Sequence, residues 1–432
     1  MDIKVFKFGG ASVNSAKGVM NVASIIRRYP GDNIAVIISA MGKTTNALEE
    51  LLGFYMSDDA VPMIDSYYRI KAFHFDILQE LFKEKTHPVF KETEDLFEHL
   101  HGYLRRGQFT RGKKREYNFE YDQVVSYGEL LATTIIHHYL SLSGIPGCLF
   151  DAREFIRTDS SYRDAKVDWA LTGKKIRLKM KDYFRMNKSP RKVAVIQGFI
   201  GGDKEGNTTT LGREGSDYSA AIVAWSLKTK EVTIWKDVPG VMNADPKWFK
   251  HAKKLDVLSY REAIELAYYG ASVIHPKTIK PLENARIKLF VKSFLQPEQD
   301  GTTIEHLVNW KVLHPIYILK QNQVLISISP IDFSFILEEN LSQIFHILAK
   351  HHVKVNVMQN SAISFTLCVD ADHLIEGHVL AALQKNYSLR YNDNVELLTI
   401  RHYNPAAISR VTKGRKILME QKTRNTVHLV VQ

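Results

Sequence analysis

Short apolar runs alternate with stretches of helical periodicity through the first two thirds of the chain. Lys4 to Phe8, Ile34 to Ser39, Val193 to Gln197, Glu231 to Trp235 and Ile287 to Val291 read as strands. Between the first two, Val19, Val22, Ala23 and Ile26 follow the i, i+3, i+4, i+7 spacing of an amphipathic helix, so the chain opens with a βαβ unit. Ser259 and Glu262 form a capping-box pair that starts another helix, and Gly270 supplies its C-terminal stop. A charge-rich helical stretch from about Leu51 to Leu104 interrupts the alternation and is expected to pack as a lid or flank. The pattern predicts an α/β domain: a mainly parallel sheet sandwiched between helices.

The pattern changes after Leu295 to Thr303 (LQPEQDGTT), a stretch of turn residues that reads as a linker. Val324 to Ile328 reads as a strand, and Leu341, Ile344, Phe345 and Leu348 share one helical face. Val353, Val355 and Val357 alternate, as do Ile363, Phe365, Leu367 and Val369. With a helix near His373 to Gln384 and a strand near Leu389, the order is βαββαβ, the ferredoxin-like arrangement. Further strands around Trp310 to Leu319, Val395 to His402, Arg415 to Gln421 and Thr426 to Val431 are expected to build a second, smaller α+β unit around the first. The expected division is an α/β domain over 1–295 and a separate region over 305–432, with the first module at about 322–392 nested in the second.

Length and composition fit that division, since 432 residues with 45% hydrophobic content exceed one ordinary core. The formal charge of +11 raises the question of nucleic-acid binding, but basic residues are scattered. The densest run, Arg111 to Arg115, is followed directly by Glu116 and Glu120, so a solvated loop is expected and no nucleic-acid partner. Two cysteines, Cys148 and Cys368, lie far apart and outside any CxxC spacing, which points to a reducing compartment. The N-terminus lacks a signal-peptide pattern and no apolar stretch approaches the roughly 20 residues needed to span a bilayer. A cytoplasmic protein with no membrane partner is expected.

The candidate chemistry gathers at glycine turns and helix starts. Lys7, Gly9 and Gly10 stand where the first strand gives way to a helix; such a turn lets backbone N–H groups approach an anion, and Lys7 adds a cation for phosphoryl transfer. Taken alone, KxGG fits a structural turn equally well. Gly42, Lys43 and Thr44 mimic the end of a Walker A loop, but that motif needs a glycine where Ile37 stands. Ser39 to Asn46 is left as either a ligand-lining segment or a polar turn. Gly212, Arg213, Glu214, Gly215, Ser216 and Asp217 form a polar loop leading into a helix, a second start suited to an anion. Arg213 has the geometry to clamp a carboxylate, while Asp217 fits either a helix-end charge or an organiser of Lys7. Glu129, at the start of another helix, fits a dipole partner or the holder of an ammonium. The seventeen histidines show no HExxH spacing, and no protein metal site is expected.

Six motifs in order, KFGGASV at Lys7, SYGELL at Ser126, FDAREFIRT at Phe150, GREGSDYSA at Gly212, KDVPGVMNADPK at Lys236 and ELAYYGASVIHP at Glu265, resemble the amino-acid kinase family and, within it, the aspartate kinases. The tail resembles the paired ACT regulatory modules of the same enzymes. The resemblance implies an amino-acid-kinase-like α/β/α sandwich and transfer of the ATP γ-phosphate to the β-carboxylate of L-aspartate, with Mg²⁺ entering with ATP. It further implies that Lys7 stabilises the transferring phosphoryl group, that Asp217 organises the centre, and that Gly9, Gly10, Ser39 and Ser216 contact phosphate or substrate. Glu129 would hold the aspartate ammonium and Arg213 its α-carboxylate.

Lys236, Asp237, Met242, Asp245, Lys247 and Ser272 fall where the family binds nucleotide. Four of these depart from common family residues: Thr is frequent at Lys236, Tyr at Met242, Arg at Lys247 and a basic residue at Ser272. A carboxylate is already a nucleophile at neutral pH, so no general base is required. The rivals are glutamate, acetylglutamate or uridylate kinases of the same superfamily, and a non-catalytic amino-acid sensor. The ACT-like tail implies a homodimer or higher homo-oligomer and an amino-acid effector, lysine before threonine or methionine.

Overall fold

A computed structural model describes residues 2–109, 115–186, 192–271, 274–307, 314–332, 334–371 and 378–432. The chain forms two compact units. One comprises Met1–Val241, Lys254–Ile264 and Val273–Val308; the other comprises Met242–Lys253, Glu265–Ser272 and Asn309–Gln432.

The first unit begins β1 (Ile3–Phe8), α1 (Ala16–Arg27), β2 (Asn33–Ile38), then α2 (Thr44–Met56), α3 (Ala60–Leu81), α4 (Pro88–Phe109), α5 (Tyr117–Val125) and α6 (Tyr127–Leu142). It continues β3 (Gly147–Phe150), α7 (Trp169–Met186), β4 (Val193–Gln197), β5 (Ile200–Gly202), β6 (Thr208–Thr210), α8 (Gly215–Leu227) and β7 (Glu231–Lys236). The last elements are β8 (Val257–Ser259), α9 (Tyr260–Tyr268), of which only Tyr260–Ile264 fall in this unit, α10 (Pro276–Asn284), β9 (Lys288–Ser293) and β10 (Thr302–Glu305). Eight strands form one sheet in the order β3-β4-β2-β1-β7-β9-β10-β8, parallel except where β10 meets β9. Strands buried on both faces need apolar side chains at nearly every position. β2 is buried from Ile34 to Ile38 and β4 throughout.

Helix α1 begins only at Ala16, where Ser15 Oγ accepts the Gly18 N–H. The Lys7–Gly10 segment therefore runs into a turn, with the Ser12 and Val13 N–H groups donating to Gly9 O, rather than directly into a helix start. The stretch read as one helical flank is three helices. Asp58, at φ +57°, follows α2, and Pro88 opens α4 at a position where its missing N–H costs nothing. These helices share a core of their own with α5 and α6, including Leu48, Leu52, Tyr67, Ile70, Phe97 and Val124.

The second unit comprises β11 (Ile316–Pro330), α11 (Glu338–Lys350), β12 (Val355–Asn360), β13 (Phe365–Asp370), α12 (His378–Gln384), β14 (Tyr387–Arg401), α13 (Pro405–Thr412), β15 (Ile417–Lys422) and β16 (Thr426–Val431). The strands form one antiparallel sheet, β12-β13-β11-β14-β16-β15. Its first half is ferredoxin-like, with α11 and α12 covering Ile326, Ile328, Leu367 and Val369. The strands expected near Leu389 and from Val395 are one strand. The polar Asn392–Asn394 stretch reads as a break, yet the backbone passes through it by two register shifts against β11, one at Asn322 with φ +53° and the next at Asn394 with φ +51°. The second half draws on residues the linear reading assigned to the α/β domain: Ala244, Trp248 and Phe249 pack with Tyr317, Ile400, Val427 and Leu429, and the Phe249 and Tyr317 rings stack at 4.6 Å. Of the expected strand at Trp310 to Leu319, Ile316 to Leu319 form the start of β11, whereas 310–313, like 373–377 of the expected helix and 111–114 of the basic run, lie outside the described residues.

Candidate active site

Three neighbouring parallel strands of the first unit end at one cleft of about 580 Å³. Lys7 is the penultimate residue of β1, Ser39 follows β2, and Lys236 closes β7; all three line the cleft. Open α/β sheets bind ligands at the carboxyl ends of their strands, where successive loops diverge. Gly10 shows why a glycine is needed there: a Cβ at this position would stand 2.7 Å from the Ala40 carbonyl oxygen and 2.9 Å from that of Gly42. The two loops pack backbone to backbone, with the Gly42 N–H donating to Gly10 O at 3.0 Å.

Helix α8 enters from the opposite side through Gly215, Ser216 and Asp217. Gly212 has φ +76°, and a Cβ on it would lie 2.3 Å from Asp164 Oδ1. Glu214 precedes the helix at φ +54° and accepts the His275 N–H at 2.9 Å. The helix start brings backbone dipoles to the cleft, an arrangement favourable to phosphate.

Asp217 is buried and ion-paired with Lys7 at 2.7 Å, with Lys236 at 4.0 Å. The Lys7 contact is an ion pair out of hydrogen-bond alignment. Burial pushes the Asp217 carboxyl up, but the Lys7 and Lys236 charges outweigh it and hold the group below its ordinary value. The carboxylate therefore stays ionised and keeps two ammonium groups at the phosphoryl end. Gly9 is close by, since a Cβ there would approach Lys7 Nζ to 3.2 Å.

Glu129, in the first turn of α6, is 2% exposed. Its Oε1 accepts the Ala40 N–H at 3.1 Å, while Oε2 is buried without a hydrogen-bond partner. Burial pushes this carboxyl up to about 8, against the opposing effects of the Ala40 N–H and the Lys7 charge. A buried carboxylate oxygen without a partner is costly to keep unless something cationic pairs with it. Arg213 lines the same cleft with an exposed side chain.

Of the residues singled out from sequence, Lys7, Gly10, Ser39, Glu129, Arg213, Ser216, Asp217 and Lys236 line this one cleft. Asp237 is exposed just past β7. Met242, Asp245 and Lys247 belong to the second unit, where the Asp245 carboxylate accepts the Lys247 N–H at 2.9 Å. Ser272 lies outside the described residues. Lys43 lines a separate small pocket with Arg69 and Phe73.

Thr45 and Glu214, which fall in segments noted from sequence, also line the cleft, as do Tyr121, Phe199 and Arg163, which carried no sequence signal of a role there. Arg163 sits in SSYRD, a stretch without periodicity. Asp122 beneath it is equally silent in sequence. It is a buried carboxylate pushed up to about 6 by burial, against hydrogen bonds from Thr210 and the Arg163 N–H.

The sequence model of the amino acid kinase family matches residues 2–293, most of the chain. This chain belongs to the amino acid kinase family. Its relatives within that family include aspartokinases. It is 30% identical over 369 residues to lysine-sensitive aspartokinase 3 of Escherichia coli, covering 85% of this chain and 78% of that enzyme. It is 32% identical over 382 residues to chloroplastic aspartokinase 1 of Arabidopsis thaliana, covering 86% of this chain and 64% of that longer protein. Among solved structures, E. coli aspartokinase III in complex with lysine and aspartate superposes with a TM-score of 0.82 at 26% identity, covering 100% of this chain and 96% of that one. The same enzyme in complex with aspartate and ADP gives 0.79. This family member is thus an aspartokinase-type kinase, an ATP-dependent enzyme with the α/β sandwich and ACT-like sheet expected of it.

Proposed function

We propose that the chain transfers the γ-phosphoryl group of MgATP to the β-carboxylate of L-aspartate, giving 4-phospho-L-aspartate and ADP, the step that opens lysine, threonine and methionine synthesis. One observation carries the reading: the cleft pairs a buried, partly unpartnered carboxylate, Glu129, with a cationic phosphoryl end built from Lys7, Lys236 and the α8 start. An acceptor with an ammonium at one end and a nucleophilic carboxylate at the other fits that polarity. Glu129 receives the ammonium, Arg213 the α-carboxylate, and Ser39 and Ser216 hydrogen-bond the acceptor. Lys7, kept in place by Asp217, neutralises charge on the transferring phosphoryl oxygens, with Gly9 and Gly10 giving their backbones to the phosphates.

Mg²⁺ enters as part of the nucleotide; among the described residues no cluster of three His, Cys, Asp or Glu side chains could hold a metal of its own. Lys236 and Asp237 are assigned to the nucleotide. A coupled assay of ADP release with L-aspartate, L-glutamate, N-acetylglutamate and UMP tests the reading. Turnover with aspartate alone supports it, and turnover with another acceptor or none refutes it.

The second unit is assigned to regulation by an amino acid, lysine first, and to pairing with a second copy. β12 is an edge strand of its sheet, and Met358 on it, Ile331 after β11, Phe335 before α11, Ile363 between β12 and β13, and Phe345 on α11 are exposed. The E. coli relative is lysine-sensitive by name and binds lysine in its solved structure. The chain is assigned to the cytoplasm; both cysteines are free, and no helix among the described residues is long and apolar enough to cross a membrane. Titration with lysine, threonine and methionine while activity and Tm are recorded tests this role. A ligand preferring the folded inhibited state raises Tm, because it adds about 2.7 kcal/mol of stability at a hundred times its Kd. If none of the three changes activity or Tm, the unit is an assembly device only.

A further inference from the structure

The cleft holds a second guanidinium whose position is fixed from several sides. Arg163, in the loop between β3 and α7, lines the cleft with Glu129, Arg213 and Tyr121. Its backbone N–H donates to both oxygens of Asp122, at 3.0 and 3.1 Å, and buried Asp122 is anchored by the Thr210 hydroxyl and N–H, each at 2.7 Å. The guanidinium lies over the rings of Tyr121 and Tyr117, 4.6 and 5.2 Å from their centroids. One nitrogen, Nη2, donates to Glu49 at 2.9 Å. To hold this place the backbone adopts φ +74°, a left-handed conformation unfavourable for any residue with a Cβ. Strain of this kind persists only where the surroundings enforce it, and it concentrates at ligand sites.

Charge matching assigns the group a partner. An amino dicarboxylate brings one positive and two negative charges. Glu129 meets the ammonium, and the reacting carboxylate faces the phosphoryl end, where Lys7 and Lys236 already flank Asp217. That leaves the α-carboxylate for the arginines. A guanidinium has five N–H donors in a planar fork, so the bond to Glu49 orients Arg163 without exhausting it, and stacking on two tyrosines removes much of its freedom before ligand arrives.

We propose that Arg163 is a second specificity residue for the acceptor, sharing the α-carboxylate with Arg213, so that the cleft selects acceptors carrying both an ammonium and a free α-carboxylate. The proposal rests on the aspartate-kinase reading. Arg163→Gly is the main variant, because glycine accepts φ +74° without strain and keeps the Asp122 hydrogen bond, so the fold is spared. Arg163→Gln retains bulk without the charge.

The expected result for both variants is a roughly ten- to hundredfold rise in the aspartate KM, the range for losing a charge-assisted hydrogen bond, with the ATP KM within about twofold of wild type. The decisive readout compares L-aspartate with its α-methyl ester, using the ester's inhibition constant where it is not turned over. Wild type prefers the free acid, and both variants lose that preference by about the factor lost for aspartate. Equal losses for acid and ester show a packing role and overturn the proposal, as does an unchanged aspartate KM. A fall in kcat alone assigns Arg163 to the reacting end and overturns it too. If wild type fails to phosphorylate aspartate, the functional reading itself falls and takes this proposal with it; if wild type works and only the variants disappoint, the proposal alone fails.

Discussion

Replacing Glu129 by Gln isolates the electrostatics of the acceptor site. The native carboxyl is fully buried and burial raises it from an ordinary value of 4.5 to about 8. At pH 7 the free enzyme therefore carries an ionised Glu129 in only about one molecule in eleven. An ammonium needs the ionised form, so apparent affinity is reduced by that fraction, and the aspartate KM should fall about fiftyfold between pH 6 and pH 8 before levelling. The same shift has a stability consequence. The folded state binds this proton more tightly than the unfolded chain, so the contribution is complete below pH 4.5 and is lost as pH rises through about 8. At 1.36 kcal/mol per unit the loss is on the order of 5 kcal/mol, an upper figure for a group that can gain a hydrogen bond by small shifts. Steady-state kinetics and thermal melts across pH 5 to 9 read both effects. Glu129→Gln should bind aspartate poorly at every pH, lose the KM slope, leave the ATP KM nearly unchanged, and lose less Tm than wild type on going from pH 5 to 8. A variant retaining the wild-type KM slope refutes the assignment of the ammonium to Glu129.

Lys7→Ala should lower kcat by a hundredfold or more with little change in KM, because its charge acts mainly in the transition state, whereas Lys43→Ala should leave kcat near normal. The Lys7 variant should also lose up to about 3–5 kcal/mol of stability by leaving Asp217 buried beside only the more distant Lys236; adding Asp217→Asn should recover melting temperature but not activity. Arg213→Ala should raise the aspartate KM far more than the ATP KM, and Arg213→Lys should recover little, since an ammonium cannot make the paired contact of a guanidinium. Gly10→Ala should cost about 1–3 kcal/mol in melts and most of the activity, because its Cβ meets two backbone carbonyl oxygens at under 3 Å; a stable, active variant would contradict that packing.

The strands and the catalytic end were legible because their signals are local. A strand buried on both faces must be apolar, and glycines must stand where Gly10 and Gly212 let loops close, so the KFGG and GREGS segments advertise the cleft. The Lys7–Asp217 pair joins residues 210 positions apart, yet each stands at an element end that sequence can place. Long-range packing was not legible. Nothing local says that Trp248 and Phe249 complete a sheet core with residues beyond 316, or that Asn394 carries a strand through a polar stretch instead of ending it. Arg163 was missed for the same reason, since its orientation depends on Asp122, Tyr121 and Glu49, all from other elements.

The central claim is that an acyl phosphate forms on the side chain of aspartate. Running the reaction with MgATP, L-aspartate and hydroxylamine traps that product directly. The account predicts aspartate β-hydroxamate in step with ADP for the wild-type chain, and neither product above background for Lys7→Ala. ADP without hydroxamate, or hydroxamate from glutamate in place of aspartate, would contradict it.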